Sequence, residues 1–262
     1  MNGSQVANSQ SPGSLASDTH VRGIGDFYGD GRSGILLQND AGSLSVWDMN
    51  GGQIVNSQSA GAISTDWHIR GTGDFYGDGR SGILLQNDNG SIDIWDMNGG
   101  QVITNQSAGA VGPDWHIRGT GDFYGDGRSG ILLQNDAGQL VFWDMNGGQV
   151  VNSQSPGAVA SDWHIRGVGD FYGDGRDGVL LQNDAGAMTF WDINAGQVAR
   201  SQSPGAIGPD WHIRGTGDFN GDGRCDVLLQ NDAGALTIWD MNGGTVMSSQ
   251  SPGAIDSTWH LV

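Results

Sequence analysis

The chain repeats itself every 48 residues: Asp26, Asp74, Asp122, Asp170 and Asp218 each open a segment reading Asp-Phe-Tyr/Asn-Gly-Asp-Gly-Arg. Met1, Met49, Met97, Met145, Ile193 and Met241 mark the same register. The periods therefore run 1–48, 49–96, 97–144, 145–192 and 193–240, with a partial sixth over 241–262. A fixed period of this length marks one supersecondary unit stacked several times. Residues 1–262 are accordingly expected to form a single domain, and function to be a property of the array. Met1 itself falls in register, as it would in a fragment excised from a longer array or in an engineered one.

Within one period the pattern is that of short strands. Trp67-His68-Ile69-Arg70 alternates apolar and polar side chains, a half-buried first strand. After the loop Asp74–Arg80, the run Ile83-Leu84-Leu85 reads as a second strand buried on both faces. Asn87-Asp88-Asn89-Gly90 is a turn. In the third strand Ile92 and Ile94 face one way, Asp93 and Trp95 the other. Asn98-Gly99-Gly100 is a hairpin signal, and Gln101–Gln106 makes the fourth strand. Four antiparallel strands per 48 residues match one propeller blade. The expected fold is all-β, a five-bladed β-propeller of four-stranded antiparallel blades. Six copies of the fourth strand, starting near Gln5, Gln53, Gln101, Gln149, Gln197 and Thr245, leave one surplus. The short Asn242-Gly243-Gly244 link favours the C-terminal copy as the last strand of blade 5. The N-terminal copy is then left to fray or to pair with a second molecule, so the expected state is a monomer or a strand-exchanged dimer.

Composition narrows the function. The chain has 29 acids, all Asp, and 11 bases, all Arg, for a net charge of −18. That balance disfavours nucleic acid, whose phosphates need a basic surface, and suits cations. No apolar run approaches membrane-spanning length. Residues 1–13 lack the charged start and apolar stretch of a signal peptide. Cys225 stands alone, so no intrachain disulfide forms. Nothing resembles a catalytic set: there is no Glu, no Cys–His pair and no Gly-x-Ser-x-Gly elbow. The protein is expected not to be an enzyme.

The loop carries the chemistry. In the fifth repeat Asp218, Asn220, Asp222 and Asp226 offer side-chain oxygens at positions 1, 3, 5 and 9, and Arg224 its carbonyl at position 7. Calcium takes 6–8 such oxygens. Position 12 is Leu229 and the flanks are strands, so this is not an EF-hand. The other loops are degenerate. They keep Asp26 and Asp30, Asp74 and Asp78, Asp122 and Asp126, and Asp170 and Asp174, but place Tyr28, Tyr76, Tyr124 and Tyr172 at position 3 and glycine at position 9. Their bland reading is a structural turn held by Asp–amide hydrogen bonds.

The tandem Asp-x-Asn-Gly-Asp-Gly-x-x-Asp loop between two strands resembles the FG-GAP and VCBS propeller repeats of integrin α-subunit heads, Psathyrella-type fungal lectins and many secreted bacterial proteins. The resemblance implies calcium as a cofactor, held by Asp218, Asn220, Asp222, Arg224 and Asp226. It also implies an extracellular setting and a glycan or cell-surface partner. The four loop tyrosines would then offer rings for sugar contacts, or fill space left by absent calcium. Two tryptophan series, Trp67, Trp115, Trp163, Trp211, Trp259 and Trp47, Trp95, Trp143, Trp191, Trp239, either pack between blades or form sugar-stacking clefts flanked by Gln and Asn. The six histidines, His20 to His260, are expected to be hydrogen-bonded on the first strands, and Arg22, Arg70, Arg118, Arg166 and Arg214 to pair with loop or third-strand aspartates. The leading expectation is a calcium-binding, lectin-like multivalent module. The alternatives are a structural or adhesion module for a protein partner and an engineered or amplified scaffold without a ligand.

Overall fold

A computed structural model describes residue 6 and residues 9–255. It is built from five four-stranded antiparallel sheets in simple up-and-down order, with no helix among the described residues. The blades span residues 19–62, 67–110, 115–158, 163–206 and 211–254, so the chain is a five-bladed β-propeller.

Blade 2 shows how the sequence dictates the unit. Its strands are Trp67–Gly73, Gly82–Asn87, Ser91–Asn98 and Gln101–Ala110. The second strand is buried throughout, and the third alternates between buried Ile92 and Ile94 and half-buried Asp93 and Trp95. Gly99 and Gly100 both hold positive φ, at 58° and 74°, which the hairpin turn requires and which side chains resist. In blade 4 Ala195 takes the first of these places at φ 48°, the one non-glycine residue with positive φ among the described residues. The fourth strand is longer than its Gln101–Gln106 core, because it continues through Ser-Ala-Gly-Ala and still pairs there with the third.

The C-terminal copy of the fourth strand, Thr245–Ala254, pairs with Ala235–Asn242 through the local hairpin. The N-terminal copy near Gln5 lies largely outside the described residues, as do Trp259 and His260.

The core is laid down between blades. Phe27, Leu36, Leu44 and Val46 of blade 1 close on Ile83, Leu85 and Met97 of blade 2, and three equivalent clusters fill the next junctions. Each junction is also stitched by backbone. Ser81, Ser129, Asp177 and Cys225 donate their amides to the carbonyls of Asp26, Asp74, Asp122 and Asp170 at 2.7–2.8 Å. The glycines of the innermost strands let neighbours approach: a Cβ on Gly23 would sit 2.6 Å from the Thr72 methyl. The innermost strands pack in the series blade 1 to blade 5, and among the described residues those of blades 5 and 1 show no comparable packing.

Candidate functional site

Each loop is first a self-contained turn. In blade 5 Asp218 Oδ1 accepts the amides of Gly221 at 2.6 Å and Asp222 at 3.1 Å, and Oδ2 accepts that of Gly223 at 2.9 Å. Asp26, Asp74, Asp122 and Asp170 do the same in their own loops. At Asp218 partial burial opposes ionisation, but the amides of Gly223, Gly221 and Asp222 outweigh it and hold the carboxyl below its ordinary range.

The second loop acid is committed to arginine. Asp30, Asp78, Asp126 and Asp174 pair with Arg32, Arg80, Arg128 and Arg176. The same guanidinium groups reach the third-strand acids Asp48, Asp96, Asp144 and Asp192 at 3.0–3.5 Å. Asp192 is 1% exposed and takes a second arginine, Arg200, at 2.7 Å. The sequence signal for these pairs is an Arg followed sixteen residues on by an Asp next to tryptophan.

Of the two places open to the tyrosines, exposed rings or space-filling side chains, they occupy the second. Tyr28, Tyr76, Tyr124 and Tyr172 are half-buried, and their hydroxyls donate to the carbonyls of Val46, Ile94, Phe142 and Phe190 at 3.2–3.5 Å. They pack against the junction clusters and do not form exposed platforms. Burial, then nearby aspartates, raises their phenol pKa values.

The fifth loop differs from the rest. Asn220 Oδ1 accepts the Asp222 amide and its Nδ2 donates to Asp240 at 2.7 Å. Asp222 pairs with Arg224 at 2.6 Å. Asp226 is fully buried and accepts the Phe219 and Met241 amides; burial raises its pKa against those two bonds. The donor chemistry of this loop suits a hard cation, with four oxygen-bearing side chains and one carbonyl. Among the described residues no three His, Cys or Asp side chains converge as a ready metal cluster. In loops 1–4, phenols tied to carbonyls and acids tied to arginine do not fit a cation.

The histidines lie where expected: His20, His68, His116, His164 and His212 each bond an aspartate of the turn after the second strand, at 2.7–2.8 Å. The first-strand arginines do not pair with aspartates. Arg22, Arg70, Arg118, Arg166 and Arg214 donate Nε to Gln38, Gln86, Gln134, Gln182 and Gln230 at 2.9–3.2 Å. A register shift of the first strand falls at or beside each arginine and re-aims the side chain.

Concave sites lie at the junctions. Pockets of about 230, 430 and 330 Å³ open on blades 2, 4 and 5, each lined by both tryptophan series: Trp67 and Trp95, Trp163 and Trp191, Trp211 and Trp239. Each also holds a polar pair across the third and fourth strands. Asn105 donates to Asp93 at 3.2 Å, and Thr189–Ser201 and Thr237–Ser249 bond at 3.0 Å. Blade 3 has Val141 at the position of Asp93, Thr189 and Thr237. A further pocket of about 510 Å³ between blades 4 and 5 is polar, with Arg166, Asp184 and His212 among its residues.

No protein-family model matches the chain, and no curated protein matches its sequence. Solved structures match in shape. One is a chain of the Photorhabdus luminescens Tc holotoxin pore, with TM-score 0.57 and 11% identity, covering 90% of this chain and 12% of that one. Another is Raptor from Chaetomium thermophilum, with TM-score 0.52 and 12% identity, covering 95% and 21%. This chain therefore spans a small part of either. At such identity the likeness is one of fold alone, and function has to be argued from the site.

Proposed function

We propose that the protein is a non-enzymatic, multivalent carbohydrate-binding propeller of the FG-GAP/VCBS type that works outside the cell. One observation carries this reading: a tryptophan pair and a hydrogen-bonded polar pair recur in the same pocket of blades 2, 4 and 5. A sugar ring presents an apolar CH face and a rim of hydroxyls. Half-buried indoles offer a surface for the first, and Asp93, Asn105, Thr189 and Thr237 offer hydrogen bonds to the second. Pockets this small bind weakly one at a time, and repetition on one body multiplies avidity. A net charge of −18 directs the module toward neutral or cationic glycans rather than sulfated ones.

Calcium belongs to the proposal at the fifth loop alone. Asp218, Asn220, Asp222, Asp226 and the Arg224 carbonyl would hold it, and the ion would supply charge that stiffens the loop. Binding requires Asp222 to release Arg224, whereas Asn220 can offer Oδ1 while its Nδ2 stays on Asp240. A protein-adhesion role is the second reading, favoured by Val55, Ile103, Val151 and Met247, which stand 52–59% exposed along the outer strands.

The glycan reading is tested with the triple variant Asp93→Val, Thr189→Val, Thr237→Val, which copies the valine that blade 3 already carries. The fold is expected to persist and binding on a glycan array to disappear. Undiminished binding by the triple variant, or a wild-type array without signal, removes the reading.

A further inference from the structure

The junction between blades occurs four times within the chain, and among the described residues its two halves are also present once without their match, on blades 5 and 1. The trailing half is seen on blades 1–4. Phe27, Phe75, Phe123 and Phe171 are 0% exposed there, whereas Phe219 of blade 5 is only half-buried. A Cβ on Gly23, Gly71, Gly119 or Gly167 would meet Thr72, Thr120, Val168 or Thr216 at 2.6–2.9 Å. On Gly215 it meets nothing within 4 Å among the described residues.

The leading half shows the converse. Ile83, Ile131, Val179 and Val227 are 0% exposed, and Ile35 of blade 1 is half-buried. Met97, Met145, Ile193 and Met241 are likewise sealed, and Met49 is not. Ile24 stands 58% exposed, although its counterparts are the residues that cover the glycines of the preceding blade. The stems of Arg80, Arg128, Arg176 and Arg224 lie over Gly29, Gly77, Gly125 and Gly173. Neither Arg32 nor Gly221 has that partner among the described residues, and Arg32 Nε is buried without a hydrogen bond. Gln10 packs over Gly52 as Gln58 packs over Gly100, so the N-terminal segment covers the outer rim of this face.

We propose that the trailing face of blade 5 binds the leading face of blade 1 of a second copy of this chain, head to tail, and rebuilds the internal junction between molecules. Every internal contact has its counterpart in that pairing. Ile24 lies over Gly215 as Thr72 lies over Gly23. Arg32 lies over Gly221 as Arg80 lies over Gly29. The amide of Ser33 donates to the Asp218 carbonyl, and Ile35 and Met49 seal Phe219. The occupant is a second copy because the surface that fits each face is the other face. Joining two different faces makes a heterologous interface, which grows into a closed ring or an open string of blades.

Sedimentation velocity across a concentration series tests this, with two variants that block opposite faces. Gly215→Arg adds a side chain where the described monomer has open space and φ is not positive. Ile24→Asp charges an exposed position. Wild type is expected to assemble beyond its 27.4 kDa as concentration rises, and each variant to remain at 27.4 kDa. An equimolar mixture is expected to give one species at twice that mass, because each variant keeps the face the other has lost. Wild type at 27.4 kDa at every concentration overturns the proposal. So does assembly of either variant alone, or a mixture that stays monomeric. Circular dichroism confirms folding; should Gly215→Arg misfold, Gly217→Arg blocks the same face, where a Cβ meets only the ring of Phe219 at 3.6 Å and beyond.

Discussion

Asp177 is where one blade departs from its neighbours at cost. Blades 1–3 carry Ser33, Ser81 and Ser129 at this place. The hydroxyls of Ser81 and Ser129 accept the amides of Asp26 and Asp74 at 3.1 and 3.0 Å. Asp177 makes the same bond to the Asp122 amide at 2.8 Å, but with a carboxyl that burial pushes up from 3.8 to about 6. A folded-state pKa above the unfolded value means that the native state favours the proton. Stability is therefore full below about pH 4 and is lost as pH rises through 6. At about 1.4 kcal/mol per pH unit, full ionisation costs about 3 kcal/mol. Water at this half-buried position screens that to about 1–2 kcal/mol. Asp177→Ser keeps the acceptor and removes the charge. At pH 8 the variant is expected to melt higher than wild type, by about 2–4 °C per kcal/mol recovered. The margin should close toward pH 4, and comparing two proteins at each pH cancels the titration of the other acids. A margin that is flat from pH 4 to 8, or a variant less stable at pH 8, refutes the reasoning.

Gly23→Ala should destabilise by about 1–3 kcal/mol in urea unfolding, because its Cβ would press the Thr72 methyl at 2.6 Å. Gly215→Ala, with no neighbour within 4 Å, should cost nothing in dilute monomer. At 10 mM calcium a fifth-loop site with a Kd of about 0.1–1 mM should add about 1.4–2.7 kcal/mol. That gain is read as a rise in melting temperature that a chelator reverses and Asp222→Ala abolishes; a melting point indifferent to calcium in wild type leaves the loop without a metal.

Much of the unit was legible because its signals are local. The apolar run Ile83–Leu85, the alternation in Ser91–Asn98 and the Asn-Gly-Gly turn each report one strand or one reversal, and each appears where expected. The extension of the fourth strand through Ser-Ala-Gly-Ala was hidden because an outer edge strand has no apolar face to announce it. The first-strand arginines were assigned to aspartates by charge, whereas a register shift turns them onto glutamines. The tyrosines stand at a ligand position in sequence, yet a phenol long enough to reach the third-strand carbonyl is drawn into the junction. Whether blade 5 meets blade 1 was beyond reading, since identical repeats say nothing of the small rotation each junction adds. That rotation is summed over four junctions before it decides the outcome.

An array whose blades touch only their neighbours has a particular mechanics of opening. Its stability is close to a sum of blade terms and nearest-neighbour coupling terms, so cooperativity is greatest in the middle and least at the ends. Blades 1 and 5 each have one coupled neighbour and should fray first, and blade 3 should keep its amides protected longest against hydrogen exchange. Cys225 sits buried at the last of these couplings, its thiol pushed up to about 12 by burial. Such a thiol should react slowly while blade 5 is docked, so its rate of modification should report how often blade 5 lifts from blade 4. The chain thus carries its own clock for the detachment of its final blade.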